Sequence, residues 1–473
     1  MLWASNDNDT IRYTFHGGTG AIAGIEIHRQ GSTESQPNDR IAILPTGLTT
    51  EPLRVFTQKP GDPLPPGQWH GFAAFNLVKT EQEGHRRIAF TYRGRELPIE
   101  IVVTYATNPK GYLDVDVTVA NNTDTEILKI ECPRLTGVRI GDDSDDDTLL
   151  WPVGTGKKYV RPTSQGPLTM GYPKAAVGYF DLYDETAGFY MGTHDPDLIS
   201  TVMTARPDSS RTWMTFNWTR QDRIRPGETQ SFPMALGAHR TDWHRAAHWY
   251  RDFYARAFPA ADWPEWLDES DGWLFHNTSF TSPRFDRLNE FVFRQAIRLG
   301  FRHVQMWGTT TSSSCPSYYY PPERCGGPDA FAEGNTWWKD RGGVVGYYFH
   351  ANGINPWCSW PENLSYFGVK WENLPAYARP PMWKKDSDAS WQWIVRNAHY
   401  GPNRKPPEPD FKRWESQAEK RRGTMLEDAP PSGYAYMSTF SEPWRDWLTF
   451  WVIDKYVGDY GCGAAYLDTL HYG

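Results

Sequence analysis

The sequence predicts a multidomain protein of the β plus α/β class: a large antiparallel β-sandwich followed by the first half of a (β/α)8 barrel. Residues 10 to 240 form short strand-like segments separated by turn residues, with no helical pattern between them. From residue 271 onward strands alternate with helices, an order that gives parallel strands joined by crossover helices. Four such strands are found, whereas a closed barrel has eight.

The predicted domains are a β-sandwich at 1–240, a helical linker at 241–270 and a half-barrel at 271–473. Half a barrel would leave two open sheet edges and an exposed core face. We therefore expect that the chain is truncated and lacks the C-terminal half of the barrel. Completion by a second chain is the alternative.

In the sandwich, the segment "YLDVDVTVAN" alternates apolar and polar residues, the period of a strand that is buried on one face. The segment "TDWHRAAHWYRDFYARAF" predicts the linker helix, with Thr241 as its N-cap. Its apolar residues at helical spacing are Trp243, Ala246, Ala247, Tyr250, Phe253 and Tyr254.

In the half-barrel, strands are predicted within 272–280, 301–308 and 343–352 and at "AAYLD", 464–468. One helix is predicted in "RFDRLNEFVFRQAIRLG" and another between Ser441 and Gly461. A doubly wound nucleotide-binding fold needs a glycine-rich turn after its first strand, and "HNTSFTSP" is not such a turn. The long connection at about 353–440 is expected to form a wall of the substrate cleft.

Composition excludes several functions. A net charge of −8 over 473 residues argues against a nucleic-acid partner. No run of 18 apolar residues exists, so we expect no membrane span. The N-terminus shows no signal peptide, which leaves localisation open between a secreted or periplasmic protein, which we favour, and a cytoplasmic one.

No metal or cofactor is expected. The five cysteines contain no CxxC pair, which argues against a zinc or thioredoxin-like site. Cys315 and Cys325 are close enough to bridge, with Cys358 as a second partner, and free thiols are the alternative. The acidic run "GDDSDDDT", 141–148, fits a solvated loop better than a calcium site.

Candidate site residues follow from the rule that active sites lie at the C-terminal ends of barrel strands. The rule selects Asn277, Trp307, His350, Asn352 and Asp468, and Tyr466 shares a strand face with Asp468. An aspartate that leaves an apolar strand is costly to bury unless it is paired or functional. For Asp468 the alternative role is a helix cap, for Trp307 it is closing the top layer of the barrel, and for His350 and Asn352 it is hydrogen bonding within the loop.

An aromatic content of 15%, with 23 Trp and 25 Tyr, suits stacking on sugar rings, although such side chains also fill ordinary cores.

The segment "YAYMSTFSEPWRDWLTFWVIDKYVGDYGCGAAYLDTLHYG" resembles the nucleophile-bearing part of retaining glycoside hydrolase barrels of the α-galactosidase-like clan. Gly461, Gly463, Tyr466 and Asp468 match the pattern G-x-x-G-x-Y-x-D, with Gly463 one residue closer than usual. "GFYMGTHDPD" and "HRAAHWYRDFYARAF" also resemble these proteins, which carry a galactose-mutarotase-like supersandwich before the barrel.

The resemblance implies hydrolysis of an oligosaccharide or glycoconjugate by retaining double displacement, with Asp468 as the nucleophile. The substrate-binding residues would be Trp307, His350, Asn352, Asn277 and Tyr466. In this clan the acid/base comes from a later strand, typically the sixth, so this chain alone is expected to be inactive. The acid/base could instead be Glu427, Asp428 or Glu442, but a carboxylate in a loop or at a helix start has a simpler explanation.

Two other functions stay open. One is a non-catalytic carbohydrate-binding protein that holds sugars through its Trp residues. The other is a polysaccharide lyase, since some lyases also contain supersandwich domains. Lyases pair that domain with a helical toroid, and the strand-helix alternation after residue 271 argues against a toroid.

Overall fold

The computed structural model describes residues 1–6, 9–29, 40–44, 51–59, 66–172, 175, 177–240, 242–270, 272–277, 285–287, 289–307, 319–321, 326–351, 353–354, 375–378, 393, 435–437 and 441–468. The chain divides into two compact units, Met1–Ala261 and Asp262–Gly473.

The described residues of the first unit form three antiparallel sheets. A four-stranded sheet has the order β1 (Leu2–Asn6), β2 (Asp9–Phe15), β3 (Ile22–Arg29) and β4 (Arg40–Leu44). A six-stranded sheet has the order β14 (Leu168–Tyr172), β17 (Thr201–Pro207), β18 (Met214–Arg220), β11 (Glu126–Val138), β5 (Arg54–Gln58) and β6 (Gln68–His70).

The third sheet is nine-stranded, with the order β13 (Lys157–Val160), β12 (Thr148–Trp151), β15 (Tyr179–Tyr183), β16 (Ala187–Thr193), β19 (Thr229–Arg240), β10 (Leu113–Asn121), β9 (Ile99–Thr107), β8 (Arg87–Gly94) and β7 (Phe75–Glu83). One hydrophobic core joins all three sheets, for example Tyr13, Val117 and Phe216. In β10, Val115, Val117 and Val119 are buried, as their alternation predicted. The first unit is therefore a multi-sheet antiparallel β structure, as predicted.

Helix α1 (His244–Ala257) packs on the first unit, although the sequence suggested a linker. The indole ring of Trp249, which the pattern missed, makes edge contacts with Tyr112 and Tyr190 at 5.4 and 5.5 Å between ring centroids. Tyr254, predicted to face inward, is instead 50% exposed. The Asp242 carboxylate accepts the backbone N–H of His244 and so provides a partner for a free N–H group at the start of α1. Thr241, the predicted N-cap, lies outside the described residues. The short helix α2 spans Glu265–Asp268.

The second unit is built on a parallel sheet with the order β20 (Trp273–Asn277), β21 (His303–Trp307), β22 (Val344–His350) and β25 (Ala464–Asp468). The first three predicted strands are shorter than the sequence segments, and the fourth has the predicted bounds. A separate two-stranded antiparallel sheet pairs β23 (Gly353–Ile354) with β24 (Ala435–Tyr436). Among the described residues the parallel sheet has four strands.

Helices α3 (Arg294–Leu299), α4 (Gly327–Lys339) and α5 (Glu442–Thr449) belong to this unit. A π-helical turn, Asn289–Phe293, precedes α3, and α5 continues as a π-helix, Phe450–Asp459. Gly461, with φ of +71°, follows this helix in the left-handed conformation that glycine adopts without strain. Helix α4 was not predicted, because its glycines weaken the helical pattern. No helix of the described residues is long and apolar enough to cross a membrane.

The thiols of Cys132 and Cys462 are buried and unbridged. Cys315, Cys325 and Cys358 lie outside the described residues, so the predicted bridge between them stays a prediction. Across the described residues, no group of three or more His, Cys, Asp or Glu side chains is placed to hold a metal ion.

The acidic run contains one fully buried carboxylate, Asp147. Its oxygens accept the backbone N–H of Ile140 at 3.3 and 3.4 Å. Desolvation raises the pKa of Asp147 to about 8, Asp184 and Asp146 add to this shift, and the Ile140 N–H and Arg139 oppose it. The run is thus partly structural, whereas the sequence suggested a solvated loop.

We expect the Asp147→Asn variant to flatten the pH dependence of stability. Because the folded-state pKa lies above the unfolded value, the folded state retains a proton as the pH rises. The stability linked to this proton is present below about pH 4 and is lost toward pH 8, at up to about 1.4 kcal/mol per pH unit. Urea unfolding at pH 5 and pH 8 measures the effect, with Asp142→Asn at a fully exposed position as the control. An unchanged slope in Asp147→Asn would contradict the assignment.

Candidate active site

The C-terminal ends of the four parallel strands lie at one edge of the sheet, and their register groups the candidate residues. Asn277 is the register partner of Trp307. In the pairing of β22 with β25, Tyr348 is opposite Tyr466, and His350 is opposite Asp468. Since side chains alternate along a strand, all of these positions belong to one sheet face.

An aromatic platform, Trp307, Tyr348 and Tyr466, covers this end of the face. The ring centroids of Trp307 and Tyr348 are 4.3 Å apart. The Tyr348 and Tyr466 rings are stacked at 5.8 Å with an interplanar angle of 21°. Tyr466 is 40% exposed. The three strands therefore offer a broad aromatic surface next to the end of β25, where the Asp468 backbone lies.

His350 lies one side-chain step beyond the platform and is buried, and its ring meets that of Tyr348 edge-on at 6.2 Å between centroids. Its backbone carbonyl accepts the Tyr319 hydroxyl at 3.4 Å. The next carbonyl, that of Ala351, accepts the Trp444 indole N–H at 2.9 Å. Helix α5 thus anchors the turn that leaves β22 and fixes the end of the strand that carries His350.

A polar layer lies deeper on the same face, formed by His303 and Gln305, which are both buried. Burial lowers the pKa of His303, and its hydrogen bond with Gln305 opposes the shift. A Cβ at Gly346 would lie 2.3 Å from Gln305 Oε1, so glycine at this position gives the amide room beside the neighbouring strand. Gln305 Nε2 has no hydrogen-bond partner within the described part of the chain.

The opposite face of the sheet packs on the helices of this unit. Met306, Tyr347 and Phe349 share a core with Trp444 and Trp451. The Tyr347 hydroxyl donates to Asn335 Oδ1 at 2.9 Å, and Asn335 Nδ2 donates to the Tyr460 carbonyl at 2.9 Å. This buried network ties α4, β22 and the end of the π-helix together, and it makes the sheet a rigid support for the platform.

The predicted residues are only partly described. Trp307, His350 and Tyr466 lie together on the predicted face, and the backbones of Asn277 and Asp468 are at the expected strand ends. The side chains of Asn277 and Asp468, and the whole of Asn352, lie outside the described part of the structure. Tyr348 was not among the predicted site residues. It lies two residues before His350 on the same strand and therefore on the same face, a signal that could have found it.

Comparison with known proteins gives structural neighbours only. No protein-family model and no curated protein matches the chain. Solved structures similar to this chain are an α-N-acetylgalactosaminidase of Bifidobacterium bifidum (11% identity, TM-score 0.49, 75% of this chain and 61% of that one) and the α-galactosidase of Lactobacillus brevis (13%, TM-score 0.49, 98% and 69%). A third is a Geobacillus stearothermophilus α-galactosidase variant in complex with stachyose (11%, TM-score 0.46, 86% and 60%).

These neighbours are glycosidases at low identity. The chain spans about 60% of the length of the Bifidobacterium and Geobacillus proteins.

Proposed function

We propose that this chain carries the nucleophile of a retaining glycoside hydrolase, with Asp468 as that nucleophile. The observation that supports it most is the register of β22 and β25, which places the Asp468 backbone beside His350 and one side-chain step beyond the aromatic platform. A carboxylate beside an aromatic surface suits a sugar ring, because the ring stacks on the platform while its anomeric carbon faces the carboxylate.

In a retaining mechanism the carboxylate attacks the anomeric carbon, and a carboxylic acid about 5 Å away protonates the leaving oxygen. A covalent glycosyl-enzyme forms, and water activated by the second residue then releases the sugar. We assign Asp468 the first role and leave the acid/base unassigned. Asn277, His350 and Asn352 are proposed to donate or accept hydrogen bonds with sugar hydroxyls.

We further propose that β20, β21, β22 and β25 are the first four strands of a (β/α)8 barrel, within a domain at 271–473. The exposed side chains of Trp273 and Phe275 support this, because they lie on β20, at an edge of the sheet and deeper on the face than the platform. In a closed barrel, further strands would cover this deeper part of the face and leave its C-terminal end open. The candidate substrate is an oligosaccharide or glycoconjugate.

A carbohydrate-binding protein without catalysis is the second candidate, and the aromatic platform favours it equally. The lyase hypothesis is weaker, because the described part of the second unit is a parallel sheet with helices and not a helical toroid.

The platform is tested with Trp307→Ala. We expect KM for a glycoside substrate to rise about tenfold with a smaller change in kcat, because stacking that holds the sugar equally in ground and transition states affects binding. Activity is measured on a panel of aryl α- and β-glycosides, using the full-length protein.

Trp263→Ala is the matched control, since Trp263 is 64% exposed and lies outside the parallel sheet. If Trp307→Ala had the same KM as the wild type and the control, the platform would have no role. If the complete protein cleaved none of the glycosides, the hydrolase proposal would be wrong.

A further inference from the structure

A pocket of about 370 Å³ lies in the first unit, on the outer face of the nine-stranded sheet beside α1. Its polar lining includes Thr104, Asp114, Asp116 and Arg256. Three neighbouring strands of the sheet form the floor of the pocket, since Asp116 on β10 pairs with Thr104 on β9 and with Pro233 on β19. The volume is within the range of about 300–1,000 Å³ that is typical of small-molecule sites.

Asp114 and Asp116 point to the same side of β10, because they are two residues apart on one strand. Asp114 Oδ2 accepts Asn108 Nδ2 at 2.8 Å, and Asp116 Oδ1 accepts the Thr118 hydroxyl at 3.0 Å. Each carboxylate is thus held in place by one neighbour and retains capacity to accept further hydrogen bonds. Two such acceptors, about 7 Å apart along one strand, match hydroxyl groups on opposite sides of a ring-sized ligand.

The α1 side of the pocket supplies a cation and an aromatic wall. Arg256 lines the same pocket as Asp114. Burial raises the pKa of both Tyr112 and Asp114, and the Arg256 guanidinium opposes each shift. The Phe253 ring is stacked on the His194 ring at 4.6 Å, with an interplanar angle of 3°. His194 Nε2 and the Tyr190 hydroxyl are hydrogen-bonded at 2.9 Å, and this contact fixes the ring.

The charges narrow the ligand class. The lining contains two carboxylates, Asp114 and Asp116, and one guanidinium, Arg256, so it has one more negative than positive group. This excess disfavours an anionic ligand. Arg256 beside Asp114 offsets part of the negative potential that would attract a cation. Donors, acceptors and an apolar wall on one rigid sheet suit a neutral polyhydroxylated ring.

We propose that this pocket binds a monosaccharide-sized unit of a carbohydrate through Asp114, Asp116 and Arg256. The site belongs to the Met1–Ala261 unit and goes beyond the proposed hydrolase, whose residues are all in the other unit. It gives the β unit a ligand-binding role of its own.

The test is isothermal titration, on the complete chain, of methyl α-galactopyranoside and methyl β-glucopyranoside, with spermidine as a cationic probe. We expect at least one glycoside to bind with Kd on the order of 1 mM, the scale set by the ligand efficiency of a small polar molecule. The Asp114→Ala/Asp116→Ala double variant should weaken binding at least tenfold. Asp124 is an exposed acid in the turn after β10, and the Asp124→Ala variant should bind the glycoside as tightly as the wild type does.

Ala106→Phe provides a second, independent variant, because its ring would fill the pocket while both carboxylates remain. It should also weaken binding tenfold, and near-UV circular dichroism checks that both variants are folded. Equal glycoside affinity in both pocket variants and the wild type would overturn the proposal, as would binding of spermidine alone. Loss of pocket binding with unchanged glycoside turnover would support it. Turnover lost in an Asp468 variant with pocket binding intact separates the two sites.

Discussion

Replacing Asp468 with Asn in the complete protein should reduce glycoside turnover at least 1,000-fold. The amide is nearly isosteric with the carboxylate but cannot attack the anomeric carbon, so no glycosyl-enzyme forms. Substrate binding should persist, because the platform and its hydrogen-bonding neighbours are unchanged. Steady-state kinetics on an aryl glycoside, together with equilibrium binding of the same sugar, measures both effects.

Asp454→Asn is the matched control, since Asp454 is an exposed aspartate on the π-helix of the same unit. We expect it to keep full activity. Proton NMR of the first product formed by the wild type gives the stereochemical outcome, which should be retention. Turnover that survived in Asp468→Asn would show that the nucleophile is another residue. Binding without turnover in the wild type would instead favour the non-catalytic carbohydrate-binding protein.

Replacing Arg220 with Met should destabilise the first unit by about 3–5 kcal/mol, because it leaves a buried carboxylate without its cation. Arg220 forms an ion pair with Asp195, and their side chains are 6% and 2% exposed. Asp195 also accepts the backbone N–H of Asp197 at 3.0 Å and that of Ile199 at 3.3 Å, so it holds the turn between β16 and β17. The free energy of unfolding is measured with urea.

Arg223→Met serves as the control, because the Arg223 and Glu126 ion pair is partly exposed, at 54% and 14%, and is expected to contribute about 0–1 kcal/mol. The Asp195→Asn/Arg220→Met double variant should recover part of the lost stability, since no unpaired charge is then buried. A loss in Arg220→Met no larger than in the control would show that the buried pair does not stabilise the unit.

Strand positions could be predicted because the apolar residues of each strand face a core. The alternation in β10 and the apolar segment of β25 are local patterns, and each was placed correctly. The helix before residue 261 was also predicted, but its buried face was rotated: Trp249 is inside and Tyr254 is 50% exposed. The packing partners Tyr112 and Tyr190 decide which face of α1 is buried, and they are distant in sequence.

The same distinction applies to polar groups. The acidic run looked uniform in sequence, yet Asp147 is buried while Asp142 is fully exposed. Neither the Asp195 and Arg220 pair nor the pocket beside α1 has a sequence signature, because each joins residues from separate strands or a helix. Long-range pairing of this kind depends on which strands become neighbours.

The sequence by itself therefore determined the order of strands and helices, the antiparallel and parallel character of the two units, and the strand end that carries Asp468. These properties follow from period, turn residues and connection type, which are local. The tertiary structure alone decided that Trp307, Tyr348 and Tyr466 form one platform, and that Asp114, Asp116 and Arg256 line one pocket. Register between strands brings these side chains together, and register is fixed by packing across the whole sheet.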